Sequence, residues 1–291
     1  MSWGRARDLL ECAGHPVLRG ASEGATGRFP DGAAHRVEIP SCEGPRVMEA
    51  VLDEAGSRGV HVDRVSQGSG VMMLTDDEIG RMVALGREHD VEVNLFLGPR
   101  GAWGTGAQAK VSSAVGAAAA GNETVAACVA DTLRAVRLGV HSVLVGDLGV
   151  LSVLGGLKRA GDLPDDLVLK TSVLMPLTNA PTAALYEQLG ATSLNVSTDL
   201  SLDTLAEIRA ATTVPLDIYV EVPDDQGGAV RFYDVPRVVE LLAPVYIKLG
   251  VRNAPVLYPC GEHLMPTAIA LGRERVRRAE LVLRLLSEEG R

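Results

Sequence analysis

Eight short aliphatic runs, each followed by a segment of helical character, recur from His35 to the end of the chain, and this alternation limits the fold more than any other feature. The predicted strands are His35–Pro40, Val60–Ser66, Val91–Leu97, Ser142–Val145, Leu167–Val173, Ser193–Ser197, Leu216–Val222 and Pro244–Gly250. Helices are predicted over Pro45–Ser57, with proline at the first turn, and after the capping box Thr75-x-x-Glu78. Further helices follow over Asn122–Gly139, Leu151–Arg159, Pro181–Leu189, Leu202–Ala211, Val235–Leu242 and Thr267–Ser287, with Gly190 stopping the one before it. Strict alternation calls for parallel strands with right-handed crossovers. Eight such units in about 250 residues point to a closed (β/α)8 barrel of the TIM type. A doubly wound open sheet would carry a glycine-rich turn after its first strand, and none stands there. The expected organisation is an N-terminal arm over residues 1–34, a single barrel over 35–291, and a long C-terminal helix.

Composition narrows the partners. A net charge of −9 disfavours nucleic acid and anionic membranes, and 3% aromatic residues leave few platforms for stacking bases. No apolar run reaches the length of a membrane span, and Met1–Arg7 lacks the apolar core of a signal peptide, so a cytoplasmic location is expected. Cys12, Cys42, Cys128 and Cys260 are far apart and read as buried free thiols. His15, His35, His61, His89, His141 and His263 are scattered, with none paired at helical spacing. Neither a metal nor a cofactor is expected.

In a barrel the site forms at the carboxyl ends of the strands, and the two-residue period sorts side chains into inward and outward sets. The inward set is polar: Arg36 and Glu38; Glu92, Asn94 and Phe96; Lys170 and Ser172; Ser193, Asn195 and Ser197; Asp217, Tyr219 and Glu221; Tyr246 and Lys248. The second strand is ambiguous, because Asp63 and Arg64 have opposite parity. From these we select Glu38, Asn94, Lys170, Asn195, Tyr219, Glu221 and Lys248 as the lining, with Arg64, Asp147 and Arg252 at the rim. Lysine in an apolar strand is costly unless it is paired or has chemistry to do. Two neighbouring ammonium groups lower each other's pKa, and desolvation lowers it further. Lys170 is therefore the expected nucleophile toward a carbonyl, with Lys248 as perturbing cation or anion clamp and Glu221 or Tyr219 as proton shuttle. The alternative is an internal ion-pair lattice joining Lys170 and Lys248 to Glu38 and Glu221.

Three loops invite attention. Glu221–Gly228 offers amides for an anion or, through Glu221 and Asp224 with Asp147, carboxylates for a divalent cation. A solvated turn suits it equally, and the same holds for Ser66–Gly70. The Gly98–Gly121 segment around Trp103 is long enough for a lid.

The order of motifs from Gly139 to Glu221 resembles the collagenase-like peptidase family U-32. The motifs are Gly139-Val140-His141-Ser142-Val143-Leu144-Val145-Gly146-Asp147-Leu148-Gly149-Val150, Lys170-Thr171-Ser172, Asn179-Ala180-Pro181-Thr182-Ala183, and Leu189-Gly190-Ala191 through Ile208. The resemblance implies a barrel fold and, by the family's name, peptide hydrolysis. Several branches of the family resemble accessory enzymes of anaerobic hydroxylation that hold an iron–sulfur cluster on four cysteines; the stretch Gly139–Arg252 contains no cysteine.

The function expected from the residues is an enzyme acting on a small anionic or carbonyl-containing substrate, through a lysine-dependent lyase or aldolase-type reaction. A hydrolase and a non-catalytic binding barrel are the alternatives. The charged face Arg273–Arg278 of the last helix reads as solvated, or as a contact between subunits of a homo-oligomer.

Overall fold

A computed structural model describes residues 3–17, 24–101 and 116–289. Eight parallel strands run in the order β5-β4-β3-β2-β1-β8-β7-β6. They are β1 (His35–Pro40), β2 (Arg64–Gln67), β3 (Glu92–Phe96), β4 (Ser142–Val145), β5 (Val168–Thr171), β6 (Leu194–Asn195), β7 (Leu216–Glu221) and β8 (Val245–Leu249). The ends of this row meet. A parallel bridge joins Lys170 to Ser193, Thr171 N donates to Ser193 O at 3.0 Å, and Thr192 N donates to Leu169 O at 2.9 Å. At the seam the amide of Asn195 uses the Thr171 hydroxyl at 3.0 Å, a side-chain acceptor where a backbone carbonyl would otherwise serve. The fold is thus the expected (β/α)8 barrel, with a long C-terminal helix.

The helices are α1 (Trp3–Cys12), α2 (Pro45–Arg58), α3 (Asp76–His89), α4 (Asn122–Arg137), α5 (Leu148–Ala160), α6 (Ala180–Gln188), α7 (Leu202–Ala210), α8 (Val235–Leu242) and α9 (Met265–Glu289). Both halves of the capping box form at α3. Helix α5 starts three residues earlier than its apolar pattern suggests, because Asp147 caps it by accepting from Val150 N at 3.0 Å. Between strands and helices lies a continuous aliphatic core that includes Ile39, Val65, Leu95, Val143, Leu169, Leu194, Val220 and Ile247. Close approach of α5 to the end of α6 depends on Gly155, where a Cβ would stand 1.8 Å from Leu189 O.

At the opposite, amino-terminal end of the barrel, residues 24–34 pack against β1 and β8. Buried Phe29 meets Tyr246 edge to face at 5.1 Å, and the Arg36 guanidinium lies 4.4 Å over the Phe29 ring. Gly27 passes so close to Ala243 and Pro244 that a Cβ would lie 2.7 Å from the proline ring. Cys42, Cys128 and Cys260 are buried free thiols as expected; Cys12 is exposed, on a helix that leaves it facing outward. No helix among the described residues is long and apolar enough to cross a membrane. The centre of the expected lid, residues 102–115 with Trp103, lies outside the described residues.

Candidate functional site

The inward side chains form layers. In the register, Arg64 pairs with Glu38 and Glu92, and Lys248 pairs with Glu38 and Tyr219, so these groups share one zone of the barrel. Strand two resolves its ambiguity by turning Arg64 and Ser66 inward. Asp63 instead accepts from Val37 N at 2.7 Å and lies near Arg36 and His61. Arg64 is therefore not a rim residue: its side chain is 2% exposed and sits deep in the barrel. Its guanidinium reaches Glu92 at 2.8 Å, Asp217 at 2.8 Å and Glu38 at 3.4 Å, and its Cζ lies 3.6 Å over the Tyr246 ring.

Above Arg64, Lys170 is fully buried between two fully buried carboxylates. Its Nζ contacts Glu38 Oε2 and lies 3.1 Å from Asp217 Oδ1. Glu38 is the hub: Ser66 Oγ donates to it at 2.7 Å, and Lys248 Nζ lies 3.3 Å from its other oxygen. Burial is the largest influence on Lys170 and pulls its pKa down to about 8, with Lys248 and Arg64 acting in the same direction against the two carboxylates. Burial opposes ionisation of Glu38, but Lys170, Lys248 and Arg64 together outweigh it and hold the carboxyl well below its ordinary range. Asp217 goes the other way, raised chiefly by burial. Asn94 completes the polar floor, donating to Ser142 Oγ at 2.7 Å and accepting from Ser66 Oγ at 3.2 Å.

The next layer opens toward the carboxyl ends of the strands. A cavity of about 40 Å³ at the carboxyl end of the strands is lined by Ser41, Ser66, Arg100, Asn195, Tyr219 and Lys248, among others. Lys170 is not among its lining residues. Lys248 Nζ lies 4.3 Å from the centre of the Tyr219 ring, and the Asn195 amide, oriented to accept from it at 2.7 Å, donates to Asp217 O at 3.3 Å. Burial pushes the Tyr219 hydroxyl upward, so it remains a proton donor at neutral pH. Room for only a few waters limits what fits without movement of the surrounding loops.

Several expected members stand elsewhere. Glu221 does not join the lysines: the register shifts between Tyr219 and Glu221, and the carboxylate accepts from Arg252 N at 3.0 Å and faces Arg278 of α9 at 3.4 Å. The internal lattice therefore pairs the lysines with Glu38 and Asp217, not with Glu221. Asp217 carries the same parity as Tyr219 two residues later, and that parity was the signal for it. Asp147 is occupied as the α5 cap and accepts from Ala119 N at 3.1 Å. Arg252 is 54% exposed and pairs with Asp224 at 3.4 Å. The Ser66–Gly70 loop does present amides to a carboxylate, but an internal one: Glu43 accepts from Gly68 N at 2.8 Å and Ser69 N at 3.0 Å. Among the described residues no cluster of three histidine, cysteine or acidic side chains is arranged to hold a metal ion.

Solved structures similar to this chain carry diverse descriptions. The U32 peptidase Mk0906 is 18% identical, over 76% of this chain and 75% of its own, with a TM-score of 0.42. Thiamine phosphate pyrophosphorylase from Pyrococcus furiosus is 14% identical, over 84% and 96%, with a TM-score of 0.43. The homocysteine methyltransferase MmuM from Escherichia coli, in its metallated form, is 16% identical over 78% and 83%, with a TM-score of 0.47. No curated protein matches the sequence. The model of peptidase family U32 matches residues 105–222, the stretch that carries β4 to β7, and the resemblance read from the motifs between Gly139 and Glu221 is a resemblance to that family.

Proposed function

We propose that the barrel is an enzyme acting on a small carbonyl-containing anion by lysine-dependent lyase or aldolase-type chemistry. The observation that carries this reading is the position of Lys248: an amine at the floor of the cavity at the carboxyl end of the barrel, above a buried lysine whose pKa is pulled down to about 8. The geometry favours exchanging the roles expected of the two lysines. A carbonyl carbon reaching Lys170 would have to part its ion pairs with Glu38 and Asp217, whereas Lys248 fronts the cavity directly. Lys248 must lose a proton before it can attack. Glu38 touches both amines, one through each oxygen, so the proton can pass through it to Lys170 when Lys170 is neutral. The amine nitrogen then bonds to the carbonyl carbon, water leaves, and an imine results. Arg100 and the protonated Tyr219, both at the cavity wall, suit an anionic group and a developing oxyanion.

Incubation with a pool of small oxo-acids and aldehydes plus borohydride, followed by intact mass, tests the proposal. A mass increase that disappears in Lys248→Met supports it. An adduct that persists there and is lost in Lys170→Met returns the nucleophile to Lys170, and no adduct at all sinks the imine chemistry. Hydrolysis is the second reading, favoured by the name of the family matched over residues 105–222. Turnover of unmodified peptides by the wild type with no borohydride adduct would place the protein there.

A further inference from the structure

The face of α9 that reads as solvated in the sequence sends one arginine inward. Arg275 is 3% exposed, and its Nε and Nη1 are buried with no hydrogen-bond partner among the described residues. A guanidinium keeps its charge in proteins and carries five donors, so an interior one without a counter-group is costly. It lines a cavity of about 100 Å³ together with Ser41, Tyr219, Asp225, Leu257 and Tyr258. That cavity adjoins the mouth of the barrel, since Ser41, Tyr219, Gln226 and Tyr258 line both.

The internal carboxylates nearby do not serve as its partner. Glu43 is the acid whose field Arg275 feels, yet its oxygens are taken by Gly68 N, Ser69 N and the Ser69 hydroxyl. Asp224 is held by Arg252 and by the amide of Asn253. Asp225 forms no ion pair among the described residues, and burial raises its pKa.

We propose that the Arg275 cavity is a binding site for the carboxylate of a small monoanionic ligand. A carboxylate matches the guanidinium fork with two parallel hydrogen bonds. One negative charge satisfies one guanidinium, whereas a dianion would meet Asp224, Asp225 and Glu43 around it with surplus charge. The site shares Tyr219 with the Lys248 cavity but does not use Lys248 itself.

Thermal unfolding of the full chain, with sodium acetate exchanged for sodium chloride at constant ionic strength, tests this. The expected result is a saturable rise in Tm with acetate, retained in Lys248→Met and lost in Arg275→Met, whose acetate-free Tm is no lower than that of the wild type. Loss of the bidentate pair should weaken apparent affinity about tenfold or more. Absence of a rise in the wild type, persistence of the rise in R275M, or a rise with inorganic phosphate but not acetate would overturn the proposal. Should R275M fail to fold, Arg275→Lys gives the same reading, because it keeps the charge and loses the fork. Weaker acetate affinity in R275K supports the site, and unchanged affinity overturns it.

Discussion

Glu38→Gln is the most informative substitution, because one carboxylate there faces Lys170, Lys248 and Arg64. Glutamine keeps the shape and removes the charge, leaving a buried excess of one cation. Breaking a buried pair typically costs about 3–5 kcal/mol, and that is the loss expected near neutral pH. The pH dependence separates this explanation from a simple packing defect. Lys170 has a pKa of about 8 in the folded protein against an ordinary value of 10.5, so between these values the unfolded chain binds more protons. Its contribution to stability therefore rises with pH across that window. Without Glu38 the folded-state pKa falls further, and Lys170 stays neutral in the variant where the wild type protonates it. Each pH unit below about 8 favours the wild type by about 1.4 kcal/mol. The gap between wild type and variant should thus narrow by about 2–3 kcal/mol from about pH 6 to about pH 9. Urea unfolding at a series of pH values measures it. A gap that is flat, or that widens as pH rises, would refute the assignment of Lys170 as the group that yields its proton, and a loss below about 1 kcal/mol would refute the role of Glu38 as hub.

Arg64→Met should cost about 3–5 kcal/mol in the same assay, since it removes the cation paired with Glu92 and leaves Asp217 with Lys170 alone; a loss under about 1 kcal/mol would show that the core is wetter than its packing indicates. Asp147→Ala should lower stability by about 1 kcal/mol through the lost cap of α5 and leave any borohydride adduct unchanged, which separates capping from the substrate contact expected of this residue. Gly155→Ala drives a methyl into Leu189 O and should cost about 1–3 kcal/mol or more, and a neutral outcome would mean that α5 and α6 can part freely.

Much of the architecture was legible because it is local. Runs such as Ser142–Val145 and Val245–Leu249 announce buried parallel strands, Thr75 and Glu78 announce a helix start, and eight repeats leave the barrel as the consistent closure. The polar inward parity was legible too, so Glu38, Lys170, Asn195, Tyr219 and Lys248 do converge. Parity fails where the backbone is irregular, and Glu221 sits one register shift beyond the regular part of β7. Depth along the barrel was not legible either. Stagger between strands decides that Arg64 is buried under the lysines and that Lys248, not Lys170, meets the cavity, and stagger is a property of the closed sheet. Arg275 shows the same limit from outside: on α9 it stands among Arg273, Glu274, Arg277 and Arg278, and only the packing of that helix against the barrel turns it inward. Sequence by itself determined which residues alternate, pair and cap, because those interactions act over a few positions; the tertiary structure alone decided which charges share a buried volume, because that depends on strands and helices brought together from across the whole chain.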